Sequence, residues 1–293
     1  MSGAIYKVLR YSGLAWLWRE TVQRRKVTFL LFHDMTPEDA KQNFSYLKRR
    51  YHPVSLKEYV DAVFHQTRLP DKAVVITFDD GHASNYKLLP VIEELHVPVT
   101  VFLCSSIVGT NRHFWFRHTD AVKCKVESFK QLSNEERLEK LRAMGFEQEK
   151  EYGDRQALSC NEIAEMKYLV DFQSHTCYHP VLPQCDDPTA REEVVASKKQ
   201  LASSFGLDIY ALSYPNGDYS NRDIQLAEEA GYQCAITVDS GYNTLHSNLF
   251  RLKRFSVNDA HSVTELMVKA SGVYAIIKHL LHKPSYGYKS FKS

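Results

Sequence analysis

Hydrophobic positions along this chain fall into short continuous apolar runs separated by longer amphipathic stretches. The clearest runs are 27–32 (VTFLLF), 73–78 (AVVITF) and 99–103 (VTVFL). Short runs without alternation, rich in β-branched and aromatic residues, predict strands covered on both faces. Further strands are expected at 170–173, 211–214, 234–238 and 251–257, with a shorter extended piece at 52–54. Between them the periodicity predicts helices over about 40–50, 84–95, 133–143, 160–167, 188–204 and 221–230. Another helix begins after Ser55, where Glu58 three residues on completes a capping box. Strands alternating with helices call for a parallel sheet, and so many units favour an α/β fold, a distorted (β/α)7-8 barrel. No internal repeat or low-complexity linker interrupts the series.

Composition narrows the class. Of the 293 residues, 44% are hydrophobic and 25% charged, which excludes disordered, collagen-like and coiled-coil chains. A net charge of +2 lacks the concentrated basic face of a nucleic-acid binder, so no such partner is expected. Charge is nevertheless uneven. Residues 1–26 carry Lys7, Arg10, Arg19, Arg24, Arg25 and Lys26 against Glu20 alone, and after Glu265 lysine is the only fixed charge. The expected organisation is a basic, aromatic leader (1–26), a barrel (27–260), and a C-terminal helix with a basic tail (261–293). The apolar stretch at 12–18 is too short to span a bilayer and lacks a cleavage signal, so a cytoplasmic protein is expected. Two roles stay open for the leader. It packs as a helix on the barrel, or its aromatic and basic residues make peripheral contact with the inner membrane face. The six cysteines form no CxxC pair and are expected as reduced thiols.

The chemistry gathers at the ends of the expected strands: His33-Asp34, Asp79-Asp80, His175 and His179, Pro215-Asn216, and Arg254. In a barrel these ends converge on one mouth, so residues remote in sequence become neighbours. His175 and His179 lie four residues apart just after a strand. Two imidazoles, one carboxylate and an open position make a catalytic site of the zinc type. By spacing alone the pair is equally a capping and a core histidine. Asp79 and Asp80 add two carboxylates that leave a strand end in different directions, one free to ligate and the other to take a proton. By themselves, with Gly81, they are equally an ordinary turn. Cys177, between the histidines, is expected to pack in the loop.

Two segments carry a family resemblance. Residues 76–81 (ITFDDG) resemble the first motif of the NodB-homology polysaccharide deacetylases, a carbohydrate esterase type, and 174–180 (SHTCYHP) resemble their second, H(S/T)xxH. The resemblance extends from about residue 28 to 257. It implies Asp79 as catalytic base and Asp80, His175 and His179 as metal ligands, with Zn2+ expected and Co2+ or Ni2+ accommodated by the same donors. The third motif, RxPY, survives only in part as 213–216 (SYPN). Tyr214 and Pro215 are expected to line the substrate site, and the Asn216 backbone N–H falls where the family supplies an oxyanion donor. The family's arginine, which orients the base, is replaced by Ser213. Arg254 is the expected stand-in, its alternative being a solvated residue beside Arg251 and Lys253. The last motif, LxHD, belongs near the C-terminus but matches here at 31–34 (LFHD). Because a barrel's first and last strands are neighbours, this order resembles the circularly permuted poly-N-acetylglucosamine deacetylases and implies His33 as general acid. Trp115, in 113–117 (HFWFR), is either a wall on which a sugar ring stacks or buried core.

The implied activity is metal-dependent removal of the N-acetyl group of an amino sugar in a polysaccharide or a lipid-linked glycan precursor. Asp79 takes a proton from the attacking water and His33 protonates the departing amine. Two rivals remain open: an amidohydrolase acting on a formylated sugar or a small amide or imide, and a non-catalytic glycan-binding barrel, for which the missing arginine argues.

Overall fold

A computed structural model describes residues 3–121, 125–257 and 262–281. Its strands are β1 (Thr28–Phe32), β2 (His52–Pro53), β3 (Ala73–Phe78), β4 (Val99–Leu103), β5 (Val170–Ser174), β6 (Ala211–Ser213), β7 (Cys234–Ile236) and β8 (Phe255–Ser256). All pair in parallel, in the order β7-β6-β5-β4-β3-β1-β8, with β2 beside the start of β3. Leu252, just ahead of β8, makes a parallel bridge to Ile236 of β7. The sheet therefore curls until its two ends meet, giving the distorted (β/α) barrel expected from the pattern. β1 lies between β3 and β8, which is the neighbourhood that a displaced LxHD motif requires.

Besides the helices Trp115–Ala121 and Val126–Lys130, which the pattern does not predict, and a strand that ends early at Ile236, two elements change character. The helix expected over 84–95 is a 3-10 turn, Ala83–Leu88, followed by an α-helix, Leu89–Leu95. Pro90 has no N–H to donate, so one α-helical ladder cannot run through it. The strand expected over 251–257 shrinks to Phe255–Ser256, preceded by a 3-10 turn at Leu249–Arg251. This segment closes the barrel. Its first part meets β7 and its second part meets β1, so neither ladder grows long.

Strand residues divide by parity, as the pleat demands. Leu30, Phe32, Val74, Ile76 and Phe78 pack outward with the helices. Phe29, Val75, Phe102, Ala211 and Ile236 meet inside, with Leu56, Tyr59 and Val60 of the helix Leu56–His65 joining them. That helix starts at Ser55 with the expected capping box from Glu58. Thr77 and Asp79 share the parity of Val75, so Asp79 leaves β3 on the inner side.

The helices Gly3–Tyr11 and Leu14–Thr21 pack against Val263–Ala270 and Val273–Leu281 through Leu9, Ala15, Val268 and Val273. Their opposite side leaves Tyr11 76%, Trp16 58% and Leu17 50% exposed. Among the described residues no helix is long and apolar enough to cross a membrane. Cys104, Cys160, Cys177, Cys185 and Cys234 are free thiols, while Cys124 lies outside the described residues.

Candidate active site

Asp79 is held by a side chain that arrives through the barrel interior. Arg254 donates from Nη1 to Asp79 Oδ1 and from Nη2 to Oδ2, both at 2.8 Å, and the pair is buried. The guanidinium also donates to the Thr237 carbonyl at 2.9 Å, Thr77 Oγ1 at 3.1 Å and Ser213 Oγ at 3.0 Å. Ser213 Oγ in turn donates to Asp79 Oδ2 at 3.2 Å. Arg254 is thus no solvated residue. It sits ahead of β8 rather than at a strand's end, and reaches the mouth by the length of its side chain. Burial pushes the Asp79 carboxyl up, but the charge of Arg254, followed by His175, outweighs it and holds the group below its ordinary value. An ionised, fixed carboxylate results.

Asp80 and Gly81 both adopt left-handed backbone, with φ of 73° and 71°. For a residue with a side chain this conformation costs about 1–3 kcal/mol and marks functional turns. At Gly81 a Cβ would stand 2.5 Å from Leu103 Cδ2, so any other residue would have to displace that side chain as well as bear the left-handed backbone. The turn swings Asp80 towards the loop after β5. Its Oδ1 lies 3.5 Å from His175 Nε2 and 3.3 Å from His179 Nε2, and all three donor atoms fall within 4.8 Å of one another. His175 Nδ1 stands 2.7 Å from the Ser213 carbonyl. A carbonyl only accepts, so the ring proton is on Nδ1 and Nε2 keeps its lone pair. Burial, opposed by Asp80, pushes the His179 pKa down to about 3, leaving a neutral ring. Asp80 Oδ1 is buried without a hydrogen-bond partner. A buried, unpartnered carboxylate oxygen facing two imidazole nitrogens fits a divalent cation.

The loop carrying the histidines is held from both sides. Thr176 and His179 have φ of 68° and 57°. Glu193, in the helix Asp187–Phe205, accepts from the N–H groups of Cys177 at 2.7 Å and Tyr178 at 2.9 Å. Trp115 Nε1 donates to the His179 carbonyl at 2.8 Å. Trp115 is only 3% exposed, with the Arg137 guanidinium 4.9 Å above its ring. No face is open for a sugar to stack on, which corrects the wall expected from the sequence. Cys177 packs against the Glu193 carbonyl and Gln200, and burial pushes its thiol up to about 12.

A family model described as polysaccharide deacetylase matches residues 66–235, more than half of the chain. The chain belongs to the polysaccharide deacetylase family. It is 22% identical over 255 residues to the YxkH protein of Bacillus subtilis (strain 168), covering 84% of this chain and 76% of that one. Among solved structures it resembles the Streptococcus pyogenes deacetylase PplD in complex with acetate, with a TM-score of 0.63, 19% identity, and 84% of this chain and 99% of that chain covered. It also resembles IcaB from Ammonifex degensii, with a TM-score of 0.61, 17% identity, and 85% and 98% covered. These likenesses establish a shared fold.

As a member of the family this chain is a carbohydrate deacetylase, a hydrolase. The span that matches the family model holds Asp79, Asp80, His175 and His179, while His33 and Arg254 lie outside it on either side. Arg254 nevertheless reaches the site of this deacetylase through its pair with Asp79. His33 follows β1, half-buried; Asn85 Nδ2 donates to its carbonyl at 2.9 Å, and its charge is among those holding Asp79 low. Asn216 has φ of 58°, a left-handed residue in the short turn Pro215–Gly217 that follows β6. Tyr214 is completely buried, its hydroxyl donating to the Phe250 carbonyl at 3.3 Å and its ring stacked on Tyr219. Pro215 is buried as well. The two are supports of the turn and not walls of a cleft, a second correction. The sequence reading missed Glu193, the Ser213 hydroxyl, and His82, whose Nε2 lies 3.1 Å from Asp80 Oδ2. Of these His82 carried a local signal, adjacency to the aspartate turn, and Ser213 another, its place in the third motif, whereas Glu193 carried none.

Burial raises the Glu193 pKa from 4.5 to about 7, against the N–H groups it accepts from. A carboxyl whose pKa is raised by folding contributes stability below its unfolded value and loses it as pH rises through the folded one. In the metal-free protein the contribution of Glu193 is therefore lost between about pH 5 and pH 8, while the lowered His179 adds stability as pH rises to its unfolded value of 6.5. Glu193→Gln should remove the falling part, so its unfolding midpoint should gain on that of the wild type as pH rises through this window, and the same slope in both proteins would contradict the assignment.

Proposed function

We propose that this protein removes the acetyl group from an N-acetylated amino sugar in a polysaccharide or a lipid-linked glycan precursor, with a divalent metal as cofactor, Zn2+ first and Co2+ or Ni2+ as alternatives. The observation that carries this reading is the ionised Asp79, fixed by Arg254, beside the unpartnered Asp80 Oδ1 that faces His175 and His179. A metal held by Asp80, His175 and His179 would supply Lewis acidity, polarising the acyl carbonyl and acidifying water. Asp79 takes the proton from the attacking water. The Asn216 N–H stabilises the oxyanion, and His33 donates the proton on which the sugar amine departs. Arg254 supplies the charge that the third motif lacks, so the ground for a decayed, non-catalytic barrel falls away.

Acetate release should be measured on N-acetylglucosamine oligomers and on nucleotide- and lipid-linked N-acetyl sugars, alongside the metal content of the protein. Acetate is expected from one of these, abolished by a chelator and restored by Zn2+. Formate from a formylated sugar, with no acetate, would instead support the amidohydrolase reading. Neither product and no metal would remove both.

A lipid-linked substrate suits a protein at a membrane surface. In the leader, Val8, Tyr11, Trp16 and Leu17 are exposed alongside Lys7, Arg24 and Arg25. Glu20, its only acid, is engaged by Arg19 at 2.7 Å and Lys72 at 3.1 Å. Arg24 pairs with Asp71 at 2.9 Å, while exposed aromatics on a leader whose charge is predominantly positive match an anionic lipid surface. Co-sedimentation with phosphatidylcholine vesicles is expected only when phosphatidylglycerol is included, and to be lost in the Tyr11→Ser, Trp16→Ser, Leu17→Ser triple variant. Equal binding by the variant, or none by the wild type, defeats this placement.

A further inference from the structure

His82 follows the aspartate turn and is 4% exposed, its ring meeting Phe114 edge-on with centroids 5.1 Å apart. Its Nε2 lies 3.1 Å from Asp80 Oδ2, and its Nδ1 lies 3.2 Å from Arg117 Nη2. A guanidinium has only N–H to offer. The imidazole must therefore accept at Nδ1, which leaves its ring proton on Nε2, donated to Asp80 Oδ2. We infer that Arg117 and His82 form a positioning relay that commits Asp80 Oδ2 to a hydrogen bond and presents Oδ1 alone to the divalent ion; the inference rests on the metal-dependent reading above.

The two carboxylate oxygens behave accordingly. Oδ2 is engaged by His82, whereas Oδ1 is the one buried without a partner and turned to His175 and His179. The terminal torsion of an aspartate is soft and nearly two-fold. Without the relay, either oxygen could turn towards the histidines. Arg117 sits in the helix Trp115–Ala121, 35 residues from His82. Its role is to fix the tautomer: with no donor at Nδ1, the ring proton could move there and the hydrogen bond to Asp80 would be lost. Partners of this kind, which touch a ligand and not the metal, are worth about 10–100-fold in metal affinity.

The test is Zn2+ affinity by equilibrium dialysis for wild type, His82→Leu, His82→Gln and Arg117→Met, with folding checked by circular dichroism. His82→Leu should bind Zn2+ about 10–100-fold more weakly. His82→Gln, which keeps an N–H donor, should recover most of that loss, and Arg117→Met should fall between. In metal-free wild type, 15N spectra of the imidazoles should place the His82 proton on Nε2, a preference that Arg117→Met should weaken. A folded His82→Leu that binds Zn2+ as tightly as wild type overturns the relay, as does a ring proton on Nδ1. If His82→Leu does not fold, Arg117→Met decides alone, and wild-type affinity in that variant overturns the relay. A wild type that binds neither Zn2+, Co2+ nor Ni2+ overturns the metal reading and the relay together, and differs visibly from failure of the relay alone.

Discussion

Asp79→Asn is expected to lower turnover by about 10²–10⁴-fold, the range contributed by a positioned general base, while the protein still binds its metal. The amide has the shape of the carboxylate but cannot take a proton from water. It leaves Asp80, His175 and His179 untouched, so metal content should stay near that of the wild type. The substitution also strips Arg254 of its counter-charge. At a completely buried guanidinium this matters, because removing one partner of a buried pair destabilises by about 3–5 kcal/mol. Rates must therefore be read well below the variant's unfolding temperature. Near-wild-type turnover in a folded, metal-loaded Asp79→Asn protein would falsify the assignment of the base.

The second large effect belongs to Arg254. Arg254→Met should destabilise the protein by about 3–5 kcal/mol at neutral pH, because Asp79 then keeps only the Ser213 hydroxyl and a distant His175, 3.8 Å away, in a buried setting. The pH dependence has a definite sign. Folding lowers the Asp79 pKa, so the stability from this pair is present above the ordinary aspartate value and is lost as pH falls through the lowered one. The gap between wild type and Arg254→Met should be widest at neutral pH and shrink on acidification. With the arginine gone, burial is unopposed and the carboxyl rises, so the acidic limb of kcat/KM should move to higher pH. Arg254→Lys should recover only part of either property, since one ammonium cannot reproduce the two-pronged geometry. An unmoved acidic limb in Arg254→Met would show that the guanidinium does not govern Asp79.

The same residue shows where the sequence stops. The pattern at 251–257 reads as a strand with alternating basic residues, and nothing local distinguishes Arg254 from Arg251 or Lys253. Its partner is 175 positions away. Which of the three enters the barrel is decided by closure: Leu252, which bridges β7, packs inside and Phe255, which joins β1, packs outside, so Arg254 shares the inward parity of Leu252 while Arg251 and Lys253 do not. Trp115 is the opposite case. An aromatic run reads equally well as a cleft wall or as core, because hydrophobicity does not say which side a ring presents. Only the position of the His179 carbonyl, which takes the indole N–H, decides it.

What the sequence determined by itself was local. Short apolar runs placed most of the strands, Ser55 and Glu58 placed a helix start, and ITFDDG with SHTCYHP carried the family and the three residues that come together as Asp80, His175 and His179. These features depend on neighbours within a few positions, where spacing and side-chain type fix conformation. The tertiary structure alone decided which charge steadies Asp79, that the Ser213 hydroxyl turns to Asp79, and that Glu193, Trp115 and His82 hold the site in shape. Most of those contacts join residues remote in sequence that meet only in the folded barrel, with His82 beside Asp80 the local exception. No period along the chain encodes which residues that barrel brings face to face.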